Sequence, residues 1–215
     1  AACREPEHAA PLLDRAASDP RLQLLPLDTT DPRSIRAAAD TIGAAGRLDL
    51  VINTVGVLHT AEGMQPEKRL ADIDFDDLRL AFDVNALSMM RLAIALEPLL
   101  KQSEQPRFVS LSARVGSIED NRLGGWYAYR ASKAALNMLL RTLAIEWARS
   151  MPNITCVALH PGTVATELSA PFTRSRRGAV FSPELAAEHL LSTLSELGPD
   201  DNGGFFAWDG KEIPW

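Results

Sequence analysis

The chain reads as an α/β protein: a doubly wound parallel sheet with helices on both faces. Short runs of branched apolar residues alternate with helical patterns along nearly all of its 215 residues. Several of these runs are near-continuously apolar, the mark of strands covered on both sides. With 46% hydrophobic residues, residues 1–215 can fill the core of a single domain.

Taken in order, Ala1-Ala2-Cys3 reads as the end of a strand already under way. Glu5 to Ser18 fits a helix with Pro6 in its first turn. Leu22 to Leu27 fits a short buried strand ending at Asp28. Asp31 and Pro32 then suit the N-cap and first position of a helix running to about Ala45, closed by Gly46. Leu48 to Asn53 is a strand expected to be covered on both faces, and Gly56 allows a tight turn after it. Thr60 to Ile73 reads as a loop with at most a short helix. Asp74 or Asp76 caps a long helix from about Phe75 to Gln102, with Asn85 in its middle. Asparagine is a poor helix former, so this side chain is either exposed or satisfied by packing.

Arg107 to Ser112 is the next strand, followed by a loop holding Ser117 and Gly124-Gly125. The helix bearing Tyr129 ends near Met151-Pro152. Ile154 to His160 is a buried strand stopped by Pro161-Gly162. Ser182-Pro183 opens a helix to about Leu197, Phe205 to Trp208 is a last short strand, and Asn202-Gly203-Gly204 and Asp209-Gly210 are turns.

A net charge of -6 argues against nucleic acid as a partner, since phosphate binding needs concentrated Lys and Arg. Only Arg174, Arg176 and Arg177 cluster. Cys3 and Cys156 make no disulfide framework, and His8, His59, His160 and His189 lack metal-ligand spacing, so no metal site and a cytoplasmic location are expected. No apolar run reaches the roughly 20 residues that span a bilayer, so no membrane association is expected.

In such sheets ligands bind beyond the C-terminal ends of the strands, where Asp28, Asn53, Ser112 and Pro161-Gly162 all fall. Tyr129 and Lys133 share one helix face, placing a phenol beside an ammonium. A neighbouring positive charge favours the phenolate, which would fit the pair for proton transfer near neutral pH. For an isolated pair of this kind, a half-buried aromatic beside a solvated lysine is the more common explanation. Tyr127 lies about 200° away around the helix and cannot share that lysine.

Asn85, Ser112, Tyr129 and Lys133, in that order, resemble the catalytic set of the short-chain dehydrogenase/reductase superfamily. Asn53-Thr54-Val55-Gly56 looks like its N-N-A-G turn, Leu27-Asp28 like its adenine-contacting Asp, and Pro161-Gly162-Thr163-Val164-Ala165-Thr166 like its nicotinamide-side P-G-x-x-x-T. The runs Ser112 to Ile118, Gly124 to Tyr127 and Asp209 to Trp215 are similar to the C-factor branch, close to Sniffer-type carbonyl reductases. The resemblance implies a Rossmann-type fold and a carbonyl/alcohol oxidoreductase acting on a small aldehyde or ketone. It also implies roles: Ser112 bonds the substrate carbonyl, Tyr129 gives the proton, Lys133 holds the nicotinamide ribose and lowers the Tyr129 pKa, and Asn85 holds a relaying water. Arg4 follows the second strand of that pattern, where arginine suits the 2'-phosphate of NADP and an acidic residue would suit NAD. NADP is therefore expected, with NAD possible. The alternative is a dinucleotide-binding redox sensor of the C-factor type with little turnover. Homodimers or homotetramers are common in the superfamily.

Three departures stand out. The family's T-G-x-x-x-G-x-G phosphate loop is absent; the resemblance places it upstream, in about 25 to 30 further residues forming one strand and helix. A sheet lacking that strand should expose two edges. The turn reads N-T-V-G, which changes side chains where adenosine would lie. Finally, Ser112-Ala113 stands where the family often has two serines and commonly uses the second; Ser112 is assigned, with Ser117 as the alternative. Residues 167–181 occupy the variable substrate-lid position. Their Arg174, Arg176 and Arg177 fit either an acidic substrate group or a solvated basic loop.

Overall fold

The computed structural model describes residues 1–173 and 178–215. Among the described residues six strands, all pairing in parallel, form two sheets. Strand β1 (Ala2–Cys3) pairs with β2 (Leu25–Pro26), while β3 (Leu50–Asn53), β4 (Arg107–Leu111), β5 (Thr155–His160) and β6 (Phe205–Ala207) lie side by side in that order. The helices between them are α1 (Ala10–Ser18), α2 (Pro32–Ala44), α3 (Phe75–Phe82), α4 (Ser88–Leu100), α5 (Tyr127–Ser150), α6 (Ala170–Thr173) and α7 (Pro183–Glu196). Asn53 pairs with Ser110, and Leu111 with Leu159, so the strand ends that carry candidate residues are level.

Side-chain alternation divides the core between the two faces of the larger sheet. Phe108, Cys156 and Ala158 pack against Leu136, Leu140, Ala144 and Trp147 of α5 and Met89 and Ala93 of α4. Val109, Val157 and Leu159 point the other way, onto Leu194 of α7 and Leu197. Phe108 meets Trp147 edge to face at 5.3 Å. The three expected caps form: Asp31 accepts from Arg33 N at 2.9 Å, Asp74 from Asp76 N at 2.7 Å, and Ser182 Oγ from Leu185 N at 3.2 Å.

Four elements differ from expectation. The helix expected from Glu5 begins at Ala10, after a single 3-10 turn at Pro6–His8. Pro11 is the reason, because it is tolerated only in a first turn. Strand β2 is two residues long, and Pro26 has no N–H to extend its ladder. Strand β3 is not covered on both faces: Leu50 and Ile52 are 39% and 41% exposed, since β3 ends its sheet. The sheets separate between β1 and β3. The helix expected over 75–102 is broken by a π-turn at Asp83–Leu87, between α3 and α4.

Candidate active site

Asn85 is fully buried in that π-turn, the kind of helix interruption often found at functional sites. Its Oδ1 accepts from Val57 N at 2.7 Å. Its Nδ2 donates to Val57 O and to Ser132 Oγ, both at 2.9 Å. One carboxamide thus ties the loop after β3 to α5. Gly56 serves closeness here and not a left-handed turn: it is absent from the residues with positive φ, and an added Cβ would stand 3.4 Å from both Asn85 Oδ1 and Lys133 Nζ. Just upstream, buried Asn53 donates to Ser110 Oγ at 3.0 Å and accepts from Val55 N at 3.1 Å, which shapes the turn.

Tyr129 and Lys133 share the inner face of α5, with 9% and 3% exposure. Lys133 Nζ donates to Leu111 O at the end of β4 at 3.0 Å and sits 5.9 Å from the Tyr129 ring centre. Burial governs both groups, pushing the Tyr129 phenol up to about 12 and the Lys133 ammonium down to about 8. This corrects the expectation that the lysine lowers the tyrosine: burial sets the direction for each group. The phenol is protonated throughout the neutral range, so the resting site holds a proton to give.

Around Tyr129 stands an apolar wall of Leu58, Ala113, Val115, Trp126, Leu168 and Phe172. The Trp126 ring lies edge-on to Tyr129 at 6.2 Å and to Phe172 at 5.0 Å. His59 brings a polar group to its rim, with Nε2 at 3.2 Å from Glu167 O. Ala113, in the second serine position of the family, is therefore the residue packed with Tyr129. Ser112 Oγ instead donates to Asn137 Oδ1 at 2.6 Å, as expected of neighbours on extended chain that face opposite ways. Ser117 is more distant in role. Its Oγ accepts from Asp120 N at 3.1 Å, and it lines a separate cavity of about 290 Å³ with Tyr127, Arg130 and Ala134.

On the cofactor side, Arg4 is exposed and Asp28 partly buried. The Thr30 hydroxyl and amide, at 2.6 and 2.8 Å, hold the Asp28 carboxyl below the usual range, and the Arg4 cation adds to this. After β5, Gly162 takes φ 78° with Phe181 and Trp208 where a Cβ would go. Thr163 O accepts from Phe181 N and Phe181 O from Ala165 N, both at 2.8 Å, and Val164 pairs with Phe181 in a β-bridge. Thr166 N donates to Val164 O at 2.9 Å. The segment Pro161 to Thr166 is thus a braced loop at the strand ends. These residues fit a dinucleotide: Lys133 is a three-donor ammonium bonded to one carbonyl, and its Nζ stands 3.4 Å from where a Cβ on Gly56 would be. Arg174, Arg176 and Arg177 lie outside the described residues. Among the described residues no group of three His, Cys, Asp or Glu could hold a metal ion, and no helix is long and apolar enough to cross a membrane.

Sequence reasoning missed Ser132 and Asn137 as partners of Asn85 and Ser112, and Trp126 and Phe172 as the wall over Tyr129. Only spatial register could have identified the first two.

The chain is similar to known proteins over most of its length. A family described as enoyl-(acyl carrier protein) reductase matches residues 2–195. The C-signal protein of Myxococcus xanthus is 34% identical over 181 residues, covering 84% of this chain and all (100%) of that protein. A 1-hydroxy-2-glutathionyl-2-methyl-3-butene dehydrogenase of Rhodococcus sp. (strain AD45) is 33% identical over 190 residues, 88% of this chain and 78% of the relative. Among solved structures, an NADPH-bound carbonyl reductase from chicken fatty liver superposes with a TM-score of 0.89 at 30% identity, covering 100% of this chain and 82% of that one. The carbonyl reductase Sniffer of D. melanogaster gives 0.87 at 28%, covering 100% and 86%.

Proposed function

Because the chain belongs to the short-chain dehydrogenase/reductase family, we propose that it is an NADP-dependent oxidoreductase that interconverts an aldehyde or ketone and its alcohol, with Tyr129 as proton donor and acceptor. The observation that carries this reading is the buried Tyr129–Lys133 pair, held at the strand ends beside Asn85 and under an apolar wall.

NADPH, when bound, supplies the hydride. Arg4 would hold its 2'-phosphate, Asp28 its adenine, Asn53 and Gly56 the adenosine side, Lys133 its ribose, and Pro161, Gly162, Thr163, Val164 and Thr166 its nicotinamide side. The similar carbonyl reductase from chicken carries NADPH, which supports the choice of NADP.

Tyr129 hands its proton to the carbonyl oxygen as negative charge develops there, and takes one back in the reverse direction. With its own pKa near 8, Lys133 is charged at neutral pH and stabilises the phenolate left behind. Asn85 Oδ1, bonded once to Val57 N, keeps a second lone pair. It borders the space beside Gly56 with Lys133 Nζ, where a relaying water would sit. Ser112 would orient the carbonyl only if its hydroxyl left Asn137 Oδ1 and the end of β4 turned it to the side on which Ala113 packs with Tyr129. Leu168 and Phe172, in the wall, would cover the substrate, so the groups flanking the carbonyl are apolar.

The test is turnover of NADPH with 4-nitrobenzaldehyde and with pyruvate, followed by loss of the reduced-nicotinamide absorbance. The aryl aldehyde should be reduced and pyruvate left largely untouched. Absence of turnover with both would count against the reading.

A further inference from the structure

The helix that carries Tyr129 begins in an unusual way. Gly124, Gly125 and Trp126 take φ of 63°, 64° and 53° in succession, and Trp126 is the one non-glycine with positive φ among the described residues. A left-handed tryptophan is sterically disfavoured and persists only where its surroundings over-determine it. Trp126 occupies the N-cap of α5 yet gives no side-chain cap. The cap comes from elsewhere: the Glu67 carboxylate, on the loop between β3 and α3, accepts from Ala128 N at 3.1 Å through Oε1 and 3.3 Å through Oε2. The Glu67 backbone carbonyl accepts from Trp126 N at 2.5 Å, and a Cβ on Gly125 would come within 3.3 Å of that same oxygen. Glu67 is 5% exposed and enters none of the ion pairs among the described residues. What compensates its charge is the positive end of α5, a favourable place for a carboxylate.

We propose that Glu67 is a positioning residue for Tyr129: its carboxylate and carbonyl fix the first turn of α5 and hold Trp126 left-handed, so that the indole walls the phenol. The proposal rests on the reading of Tyr129 as proton donor. Its contacts converge on residues 125 to 128, immediately before Tyr129, and Trp126 is the residue through which they reach both the phenol and Phe172. Glutamine at this position keeps an acceptor oxygen at the same reach, whereas alanine leaves Ala128 N without one.

Glu67→Ala and Glu67→Gln separate the alternatives by two readouts. In the alanine variant, amide hydrogen exchange over residues 126 to 130 should rise about tenfold, the loss of a cap of ordinary strength, while exchange in the last turns of α5 and in β4 and β5 stays unchanged. With 4-nitrobenzaldehyde as probe, kcat should fall about tenfold with KM for NADPH unchanged, and glutamine should restore most of both. A merely structural role would instead speed exchange along the whole helix and would not separate kcat from KM. Unchanged exchange at 126 to 130 in the alanine variant, or a rise in exchange with kcat intact, overturns the proposal. If the parent protein reduces no carbonyl probe, the reading of Tyr129 fails and takes the catalytic half of the proposal with it; exchange still decides whether Glu67 fixes the start of α5. Should the alanine variant not fold, the glutamine variant carries the same test with smaller changes of the same sign.

Discussion

Replacing Asn85 by alanine removes three hydrogen bonds at once, to Val57 N, Val57 O and Ser132 Oγ. Each is worth about 1 kcal/mol net, and any partner left buried and unpaired adds to the loss, so about 3 kcal/mol is expected. In a domain of this size that lowers Tm by roughly 6 to 12 °C. Aspartate is the informative companion, because it keeps the acceptor for Val57 N but loses both donors, and should fall between wild type and alanine. The loop from Gly56 to Leu58 should loosen with it, since the carboxamide is its link to α5. Thermal unfolding by circular dichroism reads the first effect and amide exchange at Val57 the second. An alanine variant melting within about 1 °C of wild type would show that the carboxamide does not hold the π-turn to the loop.

Arg4→Ala should weaken NADPH binding at least tenfold more than NADH binding, measured by quenching of Trp fluorescence; equal losses would remove the basis for NADP. Lys133 supplies a pH signature. Its folded pKa is lowered from 10.5 to about 8, so between those values the unfolded chain holds a proton that the folded one lacks, and its contribution to stability grows as pH rises. Tyr129, raised from 10.0 to about 12, acts with opposite sign at higher pH. Urea unfolding at pH 8 and pH 10 should show wild type gaining on Lys133→Met over this interval; parallel behaviour would count against a buried ammonium. Ser112→Ala should slow turnover less than loss of the Tyr129 hydroxyl does, because the Ser112 hydroxyl is already given to Asn137. Ala113→Ser, which sets a hydroxyl beside Tyr129, should raise kcat for the aryl aldehyde, and no change would place the orienting donor elsewhere.

Local chemistry explains what was legible in the sequence. Asp31, Asp74 and Ser182 cap the helices they precede, because a cap is decided within a few residues. The parallel pairing of the strands and the gathering of candidate residues at strand ends followed from alternation of apolar runs and helices. Asn85 drew notice as an asparagine in an apolar helical pattern. Its π-turn did not, since one added residue leaves helical periodicity on either side. Glu67 looked like any glutamate in a polar loop, because its partner Ala128 is 61 residues away in sequence. Gly124-Gly125 stood in a loop, but nothing local indicated that both take positive φ and that Trp126 continues them left-handed. Which way Ser112 points depends on one residue of register at the end of β4, a choice that packing with Ala113 and Asn137 makes and spacing does not. The direction of the Tyr129 pKa likewise depends on burial, which spacing along α5 leaves undetermined.

The central claim is tested most directly by Tyr129→Phe, a change that removes one oxygen and keeps the ring that packs under Trp126. With NADPH and 4-nitrobenzaldehyde, kcat should fall by about 10² to 10⁴, while NADPH affinity by Trp quenching stays within a factor of about two of wild type, because Tyr129 would be one cofactor-binding residue beside Arg4, Lys133 and the loop after β5. Turnover equal to wild type would contradict the account, since the proton would then come from another group.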